Sequence, residues 1–361
     1  MPKKDSFEVS GPTHLTSINW NCPNYQRSVA ASLVQGVYVL ERDRQKDRKG
    51  SEALALSWYQ YFHFKLIETL LDDKDSSIFG AVYEYSPMGP LSDLAPHYGS
   101  DAPSFILAFR GTLLTKKNII RDIKLDLGIA GIVKNRLGDD NRVKYGLEVL
   151  DKLVNTYGHQ KIWLTGHSLG AAIAIILGKN MAMSNVFVKS FLFNPPYVSI
   201  PIGKTIGSTK LKNGIRVFNG FLKQEESTSS NDCFDMLESW VPQLFVNHDD
   251  DICCEYIGYY ERREKMKAIG ASHVEAIIAK NAVRDLVWNF SGNESEPLLV
   301  WNFSGNESEP LHSIPSAVLN VNKKRAKLIG GLIGGLLAHR ICQWWQKDLD
   351  VHSRDYRSIK E

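Results

Sequence analysis

The chain has 361 residues, and 43% of them are hydrophobic, so it is long enough to bury a sizeable core. Its formal net charge is only +3, from 43 basic and 40 acidic side chains, and no basic stripe interleaved with aromatic residues is present. This balance gives no reason to expect a nucleic-acid partner.

Short apolar segments alternate with helical patterns along much of the chain. Residues 53–71 are rich in apolar and aromatic side chains and are predicted to form a helix. Strands are predicted at residues 105–109, 161–165, 188–193 and 244–246. Apolar residues at helical spacing predict a helix at 142–157, and a run of small residues predicts another at 169–183. This alternation predicts the α/β class, with a mostly parallel central sheet and helices on both faces.

The later part of the chain contains a tandem repeat. The segment LVWNFSGNESEPL fills residues 286–298 and recurs unchanged at 299–311. Because a solenoid needs three or more units, a recent duplication, or an error in the assembled coding sequence, explains the repeat better. We predict a surface loop here. A Gly-rich apolar run at 328–338 is too short to span a membrane and is predicted to be a buried or half-buried helix.

The cysteines and the N-terminal residues bear on location. The five cysteines are odd in number and have no metal-type spacing, which predicts reduced thiols. The first residues are polar and no apolar h-region follows them, so no secretory signal is visible. We therefore expect a cytoplasmic protein.

A Gly-x-Ser-x-Gly motif spans residues 166–170, between a predicted strand and a predicted helix of small residues. At such a turn the backbone of the serine is strained, and the residues two positions before and after it must lack side chains to avoid collision. The motif therefore predicts that Ser168 is a nucleophile and that the backbone N–H of Leu169 is one donor of an oxyanion hole. The alternative interpretation is a structural turn that contains an ordinary serine.

The second oxyanion donor should come from a loop after an earlier strand. Phe109-Arg110-Gly111-Thr112 ends the predicted strand at 105–109, and Thr112 could donate its N–H and also its hydroxyl. The alternative is a plain turn in which Arg110 pairs with a surface acid.

These motifs together resemble the class 3 lipases, which are α/β hydrolases that cleave acylglycerols and related esters. The resemblance is strongest to a plant branch of lipase-like proteins and covers nearly the whole chain. Its other matches are VNHDDDIC and EYIGY at 246–259, EPLH and PSA at 309–317, and AH followed by QWW at 338–345. One departure is Ala171, where many lipases have a second glycine.

The resemblance implies a single α/β-hydrolase domain over residues 1–361. Its core would cover about 75–285, the repeat at 286–311 would form the surface loop, and a C-terminal segment at 312–361 would carry the catalytic histidine. The implied activity is that of a serine hydrolase acting on a lipid or other acyl ester. Peripheral contact with a membrane or lipid-droplet surface is compatible with such a substrate.

A hydrolase triad of this type follows the chain order serine, acid, histidine. The resemblance assigns the acid to Asp250, which precedes Ile252 as the family acid precedes its apolar residue, with Asp251 as the alternative. It assigns the base to His339, with His312 as the alternative. In this family the histidine directly before the serine of the motif, here His167, usually has a packing role.

No metal or organic cofactor is implied. The side chains of residues 248–251 are consecutive and would point in different directions, which does not suit a metal site. Two other functions stay open. One is a non-catalytic signalling or scaffold protein with a lipase-like fold, and the other is an acyltransferase that uses an alcohol other than water.

Overall fold

The computed structural model describes eight ranges of the chain, namely residues 4–87, 101–113, 141–197, 237–268, 301–303, 307–309, 314–324 and 331–357. The predicted segment at 286–298, most of 299–313 and His312 lie outside the described residues. Within the described ranges, no helix is both long enough and apolar enough to cross a membrane.

The N-terminal part combines three helices with two strands. These elements are α1 (Phe7–Ser10), α2 (Pro23–Gln45), α3 (Leu56–Gln60), β1 (Phe64–Leu71) and β2 (Ile78–Tyr85). Proline at the first position of α2 suits a helix start, because the missing N–H would have no partner there. The predicted helix at 53–71 is therefore wrong over most of its length, since β1 occupies its second half.

The central part alternates strands with helices, as predicted. It contains β3 (Phe105–Phe109), α4 (Asn141–Tyr157), β4 (Ile162–His167), α5 (Leu169–Met183) and β5 (Lys189–Phe193). The C-terminal part contains β6 (Gln243–Asn247), α6 (Glu255–Ala268), β7 (Trp301–Phe303), β8 (Glu307–Glu309), β9 (Ala317–Asn322), α7 (Gly331–Ala338) and β10 (Val351–Tyr356). The predicted helix in the Gly-rich run is thus present as α7.

Eight strands form one sheet in the order β1-β2-β3-β4-β5-β6-β9-β10. Neighbours from β3 to β9 pair in parallel, whereas β1, β2 and β10 pair antiparallel at the two edges. The short strands β7 and β8, which lie in the second repeat copy, pair with each other. The predicted α/β class with a mostly parallel sheet is confirmed.

Alternate residues of each central strand pack into two separate cores, one on each face of the sheet. In β3, Phe105, Leu107 and Phe109 pack with α4 and α5, while Ile106 and Ala108 pack with α2 on the opposite face. A strand buried on both faces has no polar side, which explains why these segments read as continuous apolar runs. The sheet is therefore held from both sides, and its carboxyl edge carries the loops described next.

Candidate active site

Ser168 occupies a sharp turn between β4 and α5. The strand ends at His167, the helix begins at Leu169, and the backbone of Ser168 has φ 55° and ψ −124°. A Cβ atom on Gly166 would lie 2.3 Å from the carbonyl oxygen of Gly170, and one on Gly170 would lie 2.5 Å from the backbone oxygens of Phe109, which ends β3, and of Arg110. Close packing therefore requires glycine at both positions. The backbone of Ser168 is strained, and strain of this kind clusters at functional sites.

The loop after β3 runs directly against the serine. A Cβ atom on Gly111 would lie only 2.7 Å from Cβ of Ser168, so the following residue, Thr112, lies close to the turn. As the first residue of α5, Leu169 has a backbone N–H without a partner inside the helix. Arg110 donates to the carbonyl oxygens of Ile78 (2.5 Å) and Gly111 (2.9 Å), and these two hydrogen bonds hold the loop against β2.

A buried acid–imidazole pair lies at the same edge of the sheet. Nδ1 of His339 is 2.9 Å from Oδ2 of Asp250, and the two residues are only 6% and 1% exposed. Burial alone would raise the pKa of Asp250, but His339 and the hydrogen bonds to this carboxylate outweigh it and hold the pKa below its usual range. Of the three consecutive acids, Asp250 is the one bonded to this histidine, while Asp251 is exposed.

The pairing determines the tautomer of His339. Because the carboxylate of Asp250 is ionised and can only accept, Nδ1 of His339 carries the proton. In the neutral ring Nε2 is then the basic nitrogen. That atom is buried and has no hydrogen-bond partner in the part of the chain that the structure describes. A buried basic nitrogen beside an ion-paired acid is able to accept a proton from a hydroxyl.

Comparisons with known proteins show the family of this chain. The model of the class 3 lipase family matches residues 106–219, which contain the loop after β3 and the Ser168 turn. An Arabidopsis thaliana protein described as a GDSL esterase/lipase is 37% identical over 98% of this chain and 98% of its own length. The chain belongs to the class 3 lipase family. Its plant relative places it with the lipase-like proteins, and the fold is therefore that of the α/β hydrolases.

Two solved lipases also match this family member. The lipase of a Rhizomucor miehei propeptide complex is 16% identical, covers 63% of this chain and 60% of its own, and gives a TM-score of 0.36. The lipase from Rhizopus microsporus var. chinensis is 16% identical, covers 64% of this chain and 69% of its own, and gives a TM-score of 0.35. These scores are low, so the fold assignment rests on the family and on the order of the strands.

Asn194 holds the carboxylate of Asp250 in place, and the sequence motifs did not identify it. It is fully buried directly after β5 with φ 46°, and its Nδ2 donates to Oδ2 of Asp250 (2.7 Å) and to the Ala338 carbonyl (3.1 Å). Its Oδ1 accepts from the indole of Trp344 at 2.7 Å. The available signal was its position at the carboxyl end of a predicted strand, where functional residues of such sheets collect.

Cys253 also contacts the acid. Its Sγ is 3.0 Å from Oδ2 of Asp250, and burial raises the pKa of this thiol well above its usual range, so it stays protonated and donates. The cysteines in the described ranges, Cys22, Cys253, Cys254 and Cys342, are free thiols. Within the described residues, no cluster of three or more His, Cys, Asp or Glu side chains is arranged to hold a metal ion.

His167, which was expected to pack, is hydrogen-bonded at both ring nitrogens. Its Nδ1 is 2.8 Å from the hydroxyl of Tyr38, and its Nε2 is 2.7 Å from the backbone carbonyl of His339. Tyr38 lies in the middle of α2, and no sequence motif singled it out. His167 thus connects α2 with the segment that carries His339.

Proposed function

We propose that this family member hydrolyses carboxylic esters of lipids through an acyl-enzyme on Ser168. Membership of the class 3 lipases supports ester hydrolysis at the level of the family. The observation that carries the proposal for this chain is the buried Asp250–His339 pair, whose free ring nitrogen lies at the same sheet edge as the strained serine.

In the proposed reaction, Oγ of Ser168 attacks the ester carbonyl carbon while its proton passes to Nε2 of His339. Asp250 keeps His339 in the required tautomer and stabilises the imidazolium that forms. The backbone N–H groups of Leu169 and Thr112 stabilise the oxyanion. His339 then protonates the departing alcohol, and water, activated by the same nitrogen, releases the acid from Ser168.

The test is covalent capture of the nucleophile by a fluorophosphonate probe, combined with turnover of nitrophenyl esters of increasing chain length. We expect the wild-type protein to be labelled and Ser168→Ala to be unlabelled, with turnover lower by on the order of 10⁶-fold. Ser190→Ala is the matched control, since Ser190 is also a buried serine on the sheet, and its hydroxyl donates to the nearby Val188 carbonyl. It should be labelled and active.

The alternatives give different results in the same test. A folded wild-type protein that the probe does not label would support the scaffold interpretation. A labelled protein that forms product only when an acceptor alcohol is supplied would support acyl transfer. We propose the cytoplasm as its location because its described cysteines are free thiols, and a membrane or lipid-droplet surface as the place where substrate is met.

A further inference from the structure

A continuous set of hydrogen bonds joins the two sides of the proposed site through α2. The backbone N–H of Gly111 donates to the hydroxyl oxygen of Tyr38 at 2.7 Å. The same hydroxyl is 2.8 Å from Nδ1 of His167, and Nε2 of His167 is 2.7 Å from the carbonyl oxygen of His339. Gly111 belongs to the proposed oxyanion loop and His339 is the proposed base. Tyr38 and His167 therefore lie between the two parts that must be aligned with Ser168.

The chemistry of the partners fixes the direction of every bond in this set. A backbone carbonyl can only accept, so Nε2 of His167 must carry a proton. Burial, followed by the nearby His339, lowers the pKa of His167 to about 3, so the ring is neutral and Nδ1 is bare. Tyr38 must then donate to Nδ1, and its oxygen is left to accept from Gly111. For a neutral ring, this is the one arrangement of protons that satisfies all three contacts.

We propose that Tyr38 and His167 are positioning residues of the hydrolytic site, which hold the oxyanion loop and the base segment in one fixed geometry. The proposal rests on the function proposed above. A tyrosine hydroxyl that accepts from one loop and donates toward the other ties their positions together, and neither residue is required to touch the ester. A Cβ on Gly111 would be 2.8 Å from the Tyr38 oxygen, which leaves this loop no room to shift toward α2.

The neutrality of His167 also serves the reaction. The rings of His167 and His339 have centroids 4.9 Å apart. His339 must become positively charged when it accepts the serine proton, and a second positive charge at this distance in a buried site would oppose that step. By donating to Nδ1, Tyr38 occupies the nitrogen on which a second proton would otherwise bind. The hydrogen bonds from Gly111 through Tyr38 and His167 to His339, here called the relay, therefore orient His339 and also keep His167 uncharged.

The first test compares kcat and KM for ester hydrolysis in Tyr38→Phe and His167→Leu. Phenylalanine has no hydroxyl and leucine has no polar side-chain atom, so both variants remove the hydrogen bond between positions 38 and 167. We expect kcat to fall by on the order of 10- to 100-fold with KM little changed, because small misalignments of reacting groups cost this much. The double variant should be about as slow as either single one, since partners in one network are not additive.

Tyr83→Phe is the matched control. Tyr83 is also fully buried against α2, and its hydroxyl has no hydrogen-bond partner within the described ranges. It should keep wild-type kcat. A Tyr38→Phe protein that keeps wild-type kcat, or that loses activity only through lower thermal stability or higher KM, would overturn the proposal.

Ring-nitrogen NMR of histidine-labelled protein separates this proposal from the proposed function, because it needs no turnover. We expect His167, assigned by its loss in His167→Leu, to show Nε2–H and a bare, hydrogen-bonded Nδ1 that stays unprotonated through pH 5. In Tyr38→Phe the Nδ1 signal should shift to that of an acceptor without a donor. Wild-type protein that fails to hydrolyse esters but shows these signals would refute the function alone, whereas an Nδ1–H tautomer would refute the relay.

Discussion

The buried position of Asp250 distinguishes it from the acids on either side. Its Oδ2 is shared by His339, Asn194 and Cys253, and its Oδ1 accepts from the Ile252 backbone at 3.1 Å. Donors on all sides offset the desolvation cost that a buried carboxylate would otherwise carry. Removing this negative charge would therefore deprive His339 both of its tautomer and of the partner that stabilises its charged form.

We therefore expect Asp250→Asn to lower kcat by on the order of 10⁴-fold, the usual effect when the acid of such a triad is made neutral. Asp249→Asn and Asp251→Asn are the matched controls, because each removes one charge from the same turn. Steady-state kinetics on one short-chain ester compares all three. If Asp251→Asn is the crippled variant and Asp250→Asn is not, the acid is assigned to the wrong residue.

At the scale of single residues, sequence predicted the candidate site residues that lie in a motif. Ser168 follows from Gly-x-Ser-x-Gly in its strand and helix context, and Asp250 and His339 follow from the family resemblance. Asn194 and Tyr38 could not be found in this way, because each acts through one side chain from a distant segment. A hydrogen bond between residues 129 positions apart leaves no local pattern in the sequence.

Helix α5 packs on the sheet through its small residues, and glycine is needed at one of them. A Cβ on Gly178 would lie 2.2 Å from Cζ2 of Trp240, whose indole is fully buried and bonded to the Val188 carbonyl. A rigid ring held in this way cannot withdraw. In contrast, a Cβ on Gly146 of α4 would meet the end of the Leu177 side chain at 3.2 Å and Cζ of Phe109 at 3.4 Å, which are milder contacts.

We therefore expect Gly178→Ala to destabilise the protein by about 1–3 kcal/mol, the usual cost of overpacking a well-filled core. Gly146→Ala should stay within about 1 kcal/mol of wild type, because the gain in helix propensity offsets the small shift of Leu177. Thermal unfolding of both variants, side by side, measures the difference. Equal melting temperatures would mean that Trp240 has room to move after all.

The elements that sequence predicted well are those with a clear boundary. The strand at Phe105–Phe109 and the helix at Leu169–Met183 have the predicted limits, and Gly and Pro residues mark the ends of several others. The segment at 53–71 failed for the opposite reason. It contains no Gly or Pro, so nothing in it marked the change from α3 to β1, which takes place through a turn where His63 has φ 61°.

At the scale of the whole molecule, the C-terminal segment is tied to the beginning of the chain and to the sheet at once. The backbone carbonyl of Trp344 accepts from Arg27 of α2, and the indole of Trp345 donates to the Ser10 carbonyl. The ring of Trp345 also packs against Trp58, with centroids 5.4 Å apart. His339 lies just before this segment, so its position depends on contacts made by both ends of the chain.

Gln343 makes the connection between this segment and the carboxyl edge of the sheet. Its Oε1 accepts from Asn247 at the end of β6 (2.7 Å) and from Asn322 at the end of β9 (2.9 Å). Its Nε2 donates to the carbonyls of Ala338 (2.5 Å) and Arg340 (3.0 Å), on either side of His339. One amide therefore fixes both flanks of the proposed base relative to two strands.

We expect Gln343→Ala to lower kcat by on the order of 10- to 100-fold, because His339 loses its fixed approach to Ser168. Two asparagine donors would also lose their acceptor, at about 1–3 kcal/mol each if they stay unsatisfied, so the melting temperature should fall by several degrees. Gln346→Ala is the control, since Gln346 is exposed and its side-chain amide donates to the Cys342 carbonyl four residues earlier. Kinetics and thermal unfolding are measured on both variants. A Gln343→Ala protein that melts earlier but keeps its full kcat below the transition would mean that this amide stabilises the fold without orienting the base.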